Sequence, residues 1–135
     1  MREILTGVAR ALRRACPTAK IILADPTGSA LAQWITTGTL GADGSYLVEG
    51  IGASVPPANL DRSLVDAAVS IDDADSFAMV RRLVREEGLL VGGSSGTNVA
   101  AALVVARTMP LDGPVVTVLA DGWDRYRSQP WMRGW

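Results

Sequence analysis

Apolar residues recur along this chain with two periods. Ile4, Leu5, Val8, Ala11 and Leu12 fall at helical spacing and predict a helix over Arg2–Ala15. These five form its inward face, with Arg10, Arg13 and Arg14 elsewhere and Pro17 ending it. Residues 20–24 (Lys-Ile-Ile-Leu-Ala) are short, apolar and β-branched, closed by Asp25-Pro26 and Gly28, which is the pattern of a buried parallel strand. A helical turn is predicted over residues 29–35 and an exposed loop over 36–45, where three glycines remove any periodicity. Residues 48–52 (Val-Glu-Gly-Ile-Gly), followed by Pro56-Pro57, cannot build a long regular element. Glycines that close together point to a near approach of the backbone to another group.

A second strand is predicted around Ala68-Val69, then a helix over Asp73–Glu87. Asp72 is its N-cap, Asp75 sits in its first turn, Phe77, Val80, Leu83 and Val84 face inward, and Gly88 stops it. Residues 89–91 read as a third strand running into Gly92-Gly93-Ser94-Ser95-Gly96. An Ala/Val-rich buried helix follows over 97–108, ended by Pro110, and residues 115–119 read as a fourth strand leading to Asp121. Strands and helices in alternation predict a three-layer α/β fold with a mainly parallel sheet, in one partial domain spanning residues 1–135.

Composition narrows the chemistry. With 135 residues, 48% hydrophobic and 20% charged, the chain can bury a core. Thirteen basic against fourteen acidic residues exclude the basic excess of a typical nucleic-acid binder. There is no histidine, so no His triad, His base or imidazole metal site, and the single cysteine, Cys16, beside Pro17, is a poor nucleophile. No metal site is expected. No apolar run reaches the length of a membrane span, and Met1-Arg2-Glu3 lacks the start of a secretory signal, so the expected compartment is the cytoplasm.

The Gly92–Gly96 run sits between a strand and a helix, where open α/β sheets bind ligands. It is neither a Walker loop nor G-x-G-x-x-G. Two readings stay open: a ligand loop offering hydroxyls and helix N–H groups, or a tight turn in which Ser95 caps the helix. Asp121, at the end of the fourth strand, faces a ligand or caps the turn into Trp123-Asp124. Asp72, Asp73, Asp75, Glu86 and Glu87 are expected as solvated helix ends. Trp34, Trp123, Trp131 and Trp135 are expected in core or interface packing.

Several of these segments occur together in one known family. Residues 48–52, 60–66 (Leu-Asp-Arg-Ser-Leu-Val-Asp) and 87–96 resemble, in order, the C-terminal part of cysteine synthase and cystathionine β-synthase. These are fold-type II enzymes dependent on pyridoxal phosphate. Residues 6–10 and 21–26 also fit, as do Leu119, Asp121, Arg125 and Tyr126 against the family's Leu-Pro-Asp…Arg-Tyr ending. The likeness covers nearly the whole chain. Ala120 stands where the family has proline and Gly122 where a serine is common.

The resemblance implies the C-terminal part of a fold-type II large domain, acting in β-replacement on a serine-type amino acid. Ser94 would hydrogen-bond the pyridine nitrogen, a neutral hydroxyl leaving the ring a weaker electron sink than a carboxylate would. Gly50, Ile51 and Gly52 would lie beside the cofactor, and Asp121 near its ring. The family's Schiff-base lysine and Gly/Thr-rich phosphate loop belong upstream of the matched region. Lys20, the only lysine, matches a strand entry remote from the cofactor, and residues 1–5 do not read as that loop. No catalytic residue is therefore assigned, and the chain is expected to be inactive alone. It is a piece of a full synthase, half of a split enzyme completed by a partner carrying the N-terminal segment, or a non-catalytic remnant acting as a binding module. Expected partners are an amino-acid substrate and a second copy or complementary N-terminal segment, with no nucleic acid and no membrane.

Overall fold

The computed structural model describes residues 2–133, so Trp135 lies outside the described residues. The chain divides into two compact units. One holds the described residues up to Tyr46 together with Gly50–Ser70, and the other holds Leu47–Glu49 and the described residues from Ile71 onward. The fold class is α/β with a parallel sheet.

In the first unit, helix α1 spans Arg2–Ala15, strand β1 Ile22–Pro26, helix α2 Leu31–Thr37 and strand β2 Ala67–Ile71, whose last residue passes into the second unit. The strands β1 and β2 are neighbours in a two-stranded sheet. The core is Leu23, Leu31, Ile35 and Leu60, with Leu5, Trp34, Ala53, Val65 and Ala68 packed against it. β1 and α2 both begin two residues later than their periodicity suggests. Ile21 N–H is taken by the Asp66 carboxylate at 2.7 Å, and Ala32 N–H at the start of α2 by Asp25 at 2.8 Å.

α1 has the predicted limits but turns a different face inward. Thr6 and Ala9 are buried, whereas Ile4, Val8 and Leu12 are exposed. Polar contacts set this rotation. Thr6 Oγ1 accepts from Asp61 N, and the Arg13 guanidinium donates to Ala19 O, Leu64 O and, at 2.7 Å, to Asp66. Hydrophobic spacing alone is blind to such partners.

The second unit is built on two packed helices, α3 (Asp73–Glu87) and α4 (Gly93–Thr108). α3 follows the sequence closely: Asp72 caps Asp75 N–H at 2.8 Å, and Gly88 closes the helix at φ 68°. Val80, Leu83 and Val91 form the core, with Met79, Val99 and Trp131 against it, and Phe77 stacks on Trp131 at 4.6 Å. Trp34 and Trp131 thus pack as expected.

Four further expectations need correction. α4 starts at Gly93, not residue 97, so the glycine-serine run is its first turn. Glycine is disfavoured in helices by its own entropy, but here α3 presses on the backbone. A side chain at Gly96 would collide with Ser76 O, and one at Gly93 would stand 3.1 Å from the Phe77 ring. The third strand reduces to a single antiparallel bridge, Val91 with Gly122, and residues 115–119 form no ladder among the described residues. A strand is defined by its hydrogen-bonded neighbour, and an apolar run alone does not provide one. Finally, α4 is buried through its first turn and at Ala100, Ala101 and Val105, and exposes Val104 and its last three residues. No helix of the described residues is long and apolar enough to cross a membrane.

Candidate functional site

The N-terminus of α4 is the most constrained point of the second unit. Its N-cap, Gly92, is extended and offers no side-chain cap. Its N–H donates to Asp121 O at 3.1 Å. A Cβ there would stand 2.5 Å from Asp121 Oδ1 and 2.5 Å from the Tyr126 ring, so only glycine fits. Segment 118–126 is tied along this end: Asn98 Nδ2 donates to Val118 O at 2.9 Å, Ala120 N to Ser95 Oγ at 3.2 Å, and Trp123 N to Leu90 O at 3.3 Å.

These bonds sort the hydroxyls. Ser95, wholly buried, holds Ala120 rather than capping the helix, which corrects the expectation for it. Thr97 is paired with Ser76 at 2.8 Å. Ser94 is 4% exposed, and its hydroxyl has no hydrogen-bond partner among the described residues. Unlike Asp121 Oδ1, the Ser94 oxygen is not shut off from solvent, so a group outside the chain can reach it. The Gly93 and Ser94 N–H groups lie beside it in the first turn, where intrahelical acceptors are missing.

Asp121 shows a similar asymmetry. Its Oδ2 accepts from Tyr126 O–H at 2.5 Å, while its Oδ1 is buried with no partner among the described residues. Burial pushes the Tyr126 phenol up to about 12, with the Asp121 carboxylate adding to the effect. Tyr126 therefore remains a proton donor to Asp121 across the ordinary pH range.

The chain also brings the root of the Glu49–Gly52 segment to this unit. Leu47 N and Val48 N donate to the two Asp73 carboxylate oxygens at 2.8 and 3.2 Å, and Gln129 Nε2 donates to Glu49 at 2.5 Å. Val48 Cγ1 lies 3.6 Å from where a Gly93 side chain would begin. Ser94, Asp121 and Val48–Glu49 are thus placed in one unit, whereas Gly50, Ile51 and Gly52 belong to the other. There, Gly50 adopts φ 77° with open space around it. Gly52, at φ 72°, is pressed by Pro26 and Tyr46, and Ile51 is buried. Lys20 and Cys16 are exposed in the same unit.

Asp73 and Gln129 escaped the sequence reading. Asp73 was expected as a solvated helix end, yet it binds backbone 25 and 26 residues away, which no spacing rule reveals. Among the described residues no cluster of three or more metal-ligating side chains occurs.

Comparison with known proteins gives the site a setting. A family model described as pyridoxal-phosphate dependent enzyme matches residues 3–121. The chain is similar to cystathionine beta-synthase of Dictyostelium discoideum, 39% identical over 131 residues, covering 97% of this chain and 26% of that protein. It is also similar to cystathionine beta-synthase of Mus musculus, 42% identical over 125 residues, covering 93% and 22%. Among solved structures, an O-acetylserine dependent cystathionine beta-synthase from Helicobacter pylori matches with TM-score 0.78 and 36% identity, covering 93% of this chain and 39% of that one. An O-ureido-L-serine-bound O-ureido-L-serine synthase matches with TM-score 0.82 and 32% identity, covering 96% and 39%. The chain spans only 22–26% of the length of these curated relatives.

Proposed function

The chain belongs to the pyridoxal-phosphate dependent enzyme family, and from that premise we propose that it supplies the pyridine-ring side of a cofactor site. The reaction we assign to the completed enzyme is β-replacement on a serine-type amino acid by a sulfur nucleophile, giving cysteine or cystathionine. The observation that carries this reading is the unpartnered hydroxyl of Ser94, a residue only 4% exposed at the start of α4. Its chemistry fits the group. A hydroxyl donates to a pyridine nitrogen without forcing its protonation, as a carboxylate would. Bound pyridoxal phosphate supplies the electron sink for bond cleavage at the amino acid's α and β carbons. Two residues of the second unit would orient it, Ser94 toward the ring nitrogen and Asp121, with its buried unpartnered oxygen, near the ring; Gly50, Ile51 and Gly52 are assigned to the cofactor's surroundings from the family resemblance alone.

The covalent attachment is assigned to another part of the enzyme. Lys20 is the only lysine, and it is exposed at the entry to β1. We therefore expect the 135-residue chain by itself to be inactive, and the working enzyme to be cytoplasmic and oligomeric. One structural feature favours a complementary segment as partner, whether on the same polypeptide or on a separate chain. The apolar residues Val115, Val116, Val118 and Leu119 are exposed and unladdered. Genomic sequence upstream separates the two arrangements, since an in-frame extension encoding a lysine and a Gly/Thr loop gives the first and a separate reading frame the second.

The direct test mixes the purified chain with pyridoxal phosphate, reduces with borohydride and maps peptides by mass. Lys20 is expected to stay free of any adduct linked to turnover. A Lys20 adduct in a chain that converts O-acetylserine and sulfide to cysteine overturns the assignment.

A further inference from the structure

We propose that Tyr126 is a positioning residue: its hydroxyl holds the Asp121 carboxylate against the start of α4, so that the first turn carrying Ser94 faces a fixed negative charge. All the residues involved lie in the second unit. What that charge does to a bound ring nitrogen rests on the reading of Ser94 given above.

α4 opens without acidic side chains of its own. Its N-cap, Gly92, makes no side-chain cap, and its first turn holds no acidic residue. Helices favour negative charge at that end, where N–H groups lack partners. Asp121 brings one from outside the helix. Its Oδ1 stands 2.5 Å from where a Gly92 side chain would begin, and its carbonyl accepts from Gly92 N at 3.1 Å. Ser94 follows in the same turn.

The carboxylate does not stay there by its own contacts. Oδ1 is shut off from solvent and accepts no hydrogen bond among the described residues. A desolvated oxygen without a donor is costly, so an unrestrained Asp121 side chain would turn outward to water. Among the described residues, the bond that restrains it is the one from Tyr126 O–H to Oδ2, at 2.5 Å.

Tyr126 is itself firmly held. The residue is 8% exposed. One edge of its ring presses on Gly92, and its ring centroid lies 5.8 Å from that of Trp131, which stacks on Phe77 at 4.6 Å. Its carbonyl accepts from Gln129 N at 2.8 Å. A ring packed on these sides leaves the hydroxyl no second position. The phenol, pushed up to about 12, keeps its proton for the bond.

The experiment reads the charge at the Ser94 position itself, without a ligand. In a Cys16→Ser background, Ser94→Cys supplies the only thiol of the 135-residue chain. The NMR resonance of its labelled β-carbon follows thiol ionisation with pH. A nearby carboxylate disfavours the thiolate, whereas a helix N-terminus favours it. Tyr126→Phe removes one oxygen and keeps the ring. It is expected to release Asp121 and so raise the thiolate-to-thiol ratio about tenfold at a given pH. Asp121→Asn keeps the shape and removes the charge, so it should do the same, and the double variant should add nothing. Glu49 and Arg125, which also act on the Tyr126 phenol, keep their charges in every variant. All samples contain sucrose, which favours the folded state, so that loss of one hydroxyl does not unfold the chain.

A purely structural role for Tyr126 lowers the melting temperature and leaves the thiol titration where it was, and that result overturns the proposal. A shift in Asp121→Asn that Tyr126→Phe does not reproduce also overturns it, because the charge then stays in place unaided. So does a shift in Tyr126→Phe alone, which would assign the effect to the phenol rather than to the carboxylate. The reading of Ser94 is tested separately, by the affinity of wild type and Ser94→Ala for 4′-deoxypyridoxine 5′-phosphate, which has the ring and phosphate of pyridoxal phosphate but no aldehyde. Equal or absent binding defeats that reading, while the thiol titration still decides whether Tyr126 holds Asp121.

Discussion

Three side chains within four positions, Ser94, Ser95 and Thr97, carry the same hydroxyl and face three different demands. Ser95 accepts from Ala120 N inside the protein, Thr97 pairs with Ser76, and Ser94 has no partner among the described residues. Removing each hydroxyl should therefore have different consequences. Ser95→Ala leaves Ala120 N–H without its acceptor, so chemical denaturation should show a loss of roughly 1–3 kcal/mol. Ser94→Ala breaks no internal bond and should leave stability within about 0.5 kcal/mol of wild type. In the completed enzyme the ranking should invert. Ser94→Ala removes the partner of the ring nitrogen and should alter cofactor absorbance and turnover, with Ser95→Ala closer to wild type once its stability loss is allowed for. A silent Ser94→Ala alongside a dead but stable Ser95→Ala would reverse the two assignments. The sequence separated the serines only through family likeness. Periodicity could not, because the partner of Ser95 lies 25 residues further along the chain.

Elements were legible where local chemistry fixes them. α3 has its limits written in Asp72 and Gly88, a capping side chain and a left-handed stop, and both work as read. α4 was misjudged at its start because its glycines obey the close approach of α3 rather than intrinsic propensity. The exposed face of α1 was misjudged for a related reason: Arg13 reaches Asp66, at the edge of β2, across 53 residues. That tie gives α1 a pH dependence. Burial alone would raise the Asp66 carboxyl. The Ile21 N–H and the Arg13 guanidinium outweigh it and hold the group below its ordinary value of 3.8. A carboxylate depressed in the fold favours the folded state at pH above its unfolded value, and that contribution is lost as pH falls through the folded value. Melting temperature followed from pH 6 downward should therefore drop more steeply below about pH 4 in the wild type than in Asp66→Asn, which has no group to titrate there. Parallel curves for the two proteins would show that the Arg13–Asp66 contact contributes nothing.

At the scale of the whole chain, the distribution of exposed apolar residues matters more than any single site. Scattered surface leucines and valines are ordinary in soluble proteins. Here they are grouped instead. Ile4, Val8 and Leu12 recur every fourth residue along α1, forming one stripe, and are 37%, 43% and 37% exposed. Val115, Val116, Val118 and Leu119 form a second group in an extended run, with Val116 83% exposed. That run has the composition of a buried strand and no ladder partner among the described residues. Unpaired backbone beside apolar side chains is a template for strand addition by another chain. The solved relatives have chains of which this one covers 39%, so they contain ample further structure to pair with such a segment. The isolated 135-residue chain should accordingly self-associate. Sedimentation velocity should show a weight-average mass that rises with concentration, and Val116→Lys should shift it toward the monomer by placing a charge on the exposed edge. Because the Val116 side chain is largely in solvent, the change should alter the melting temperature little. A wild-type chain that stays monomeric at high concentration and unfolds in one cooperative transition would contradict this. It would mean that both stripes are tolerated surface and that no complementary segment is needed to cover them.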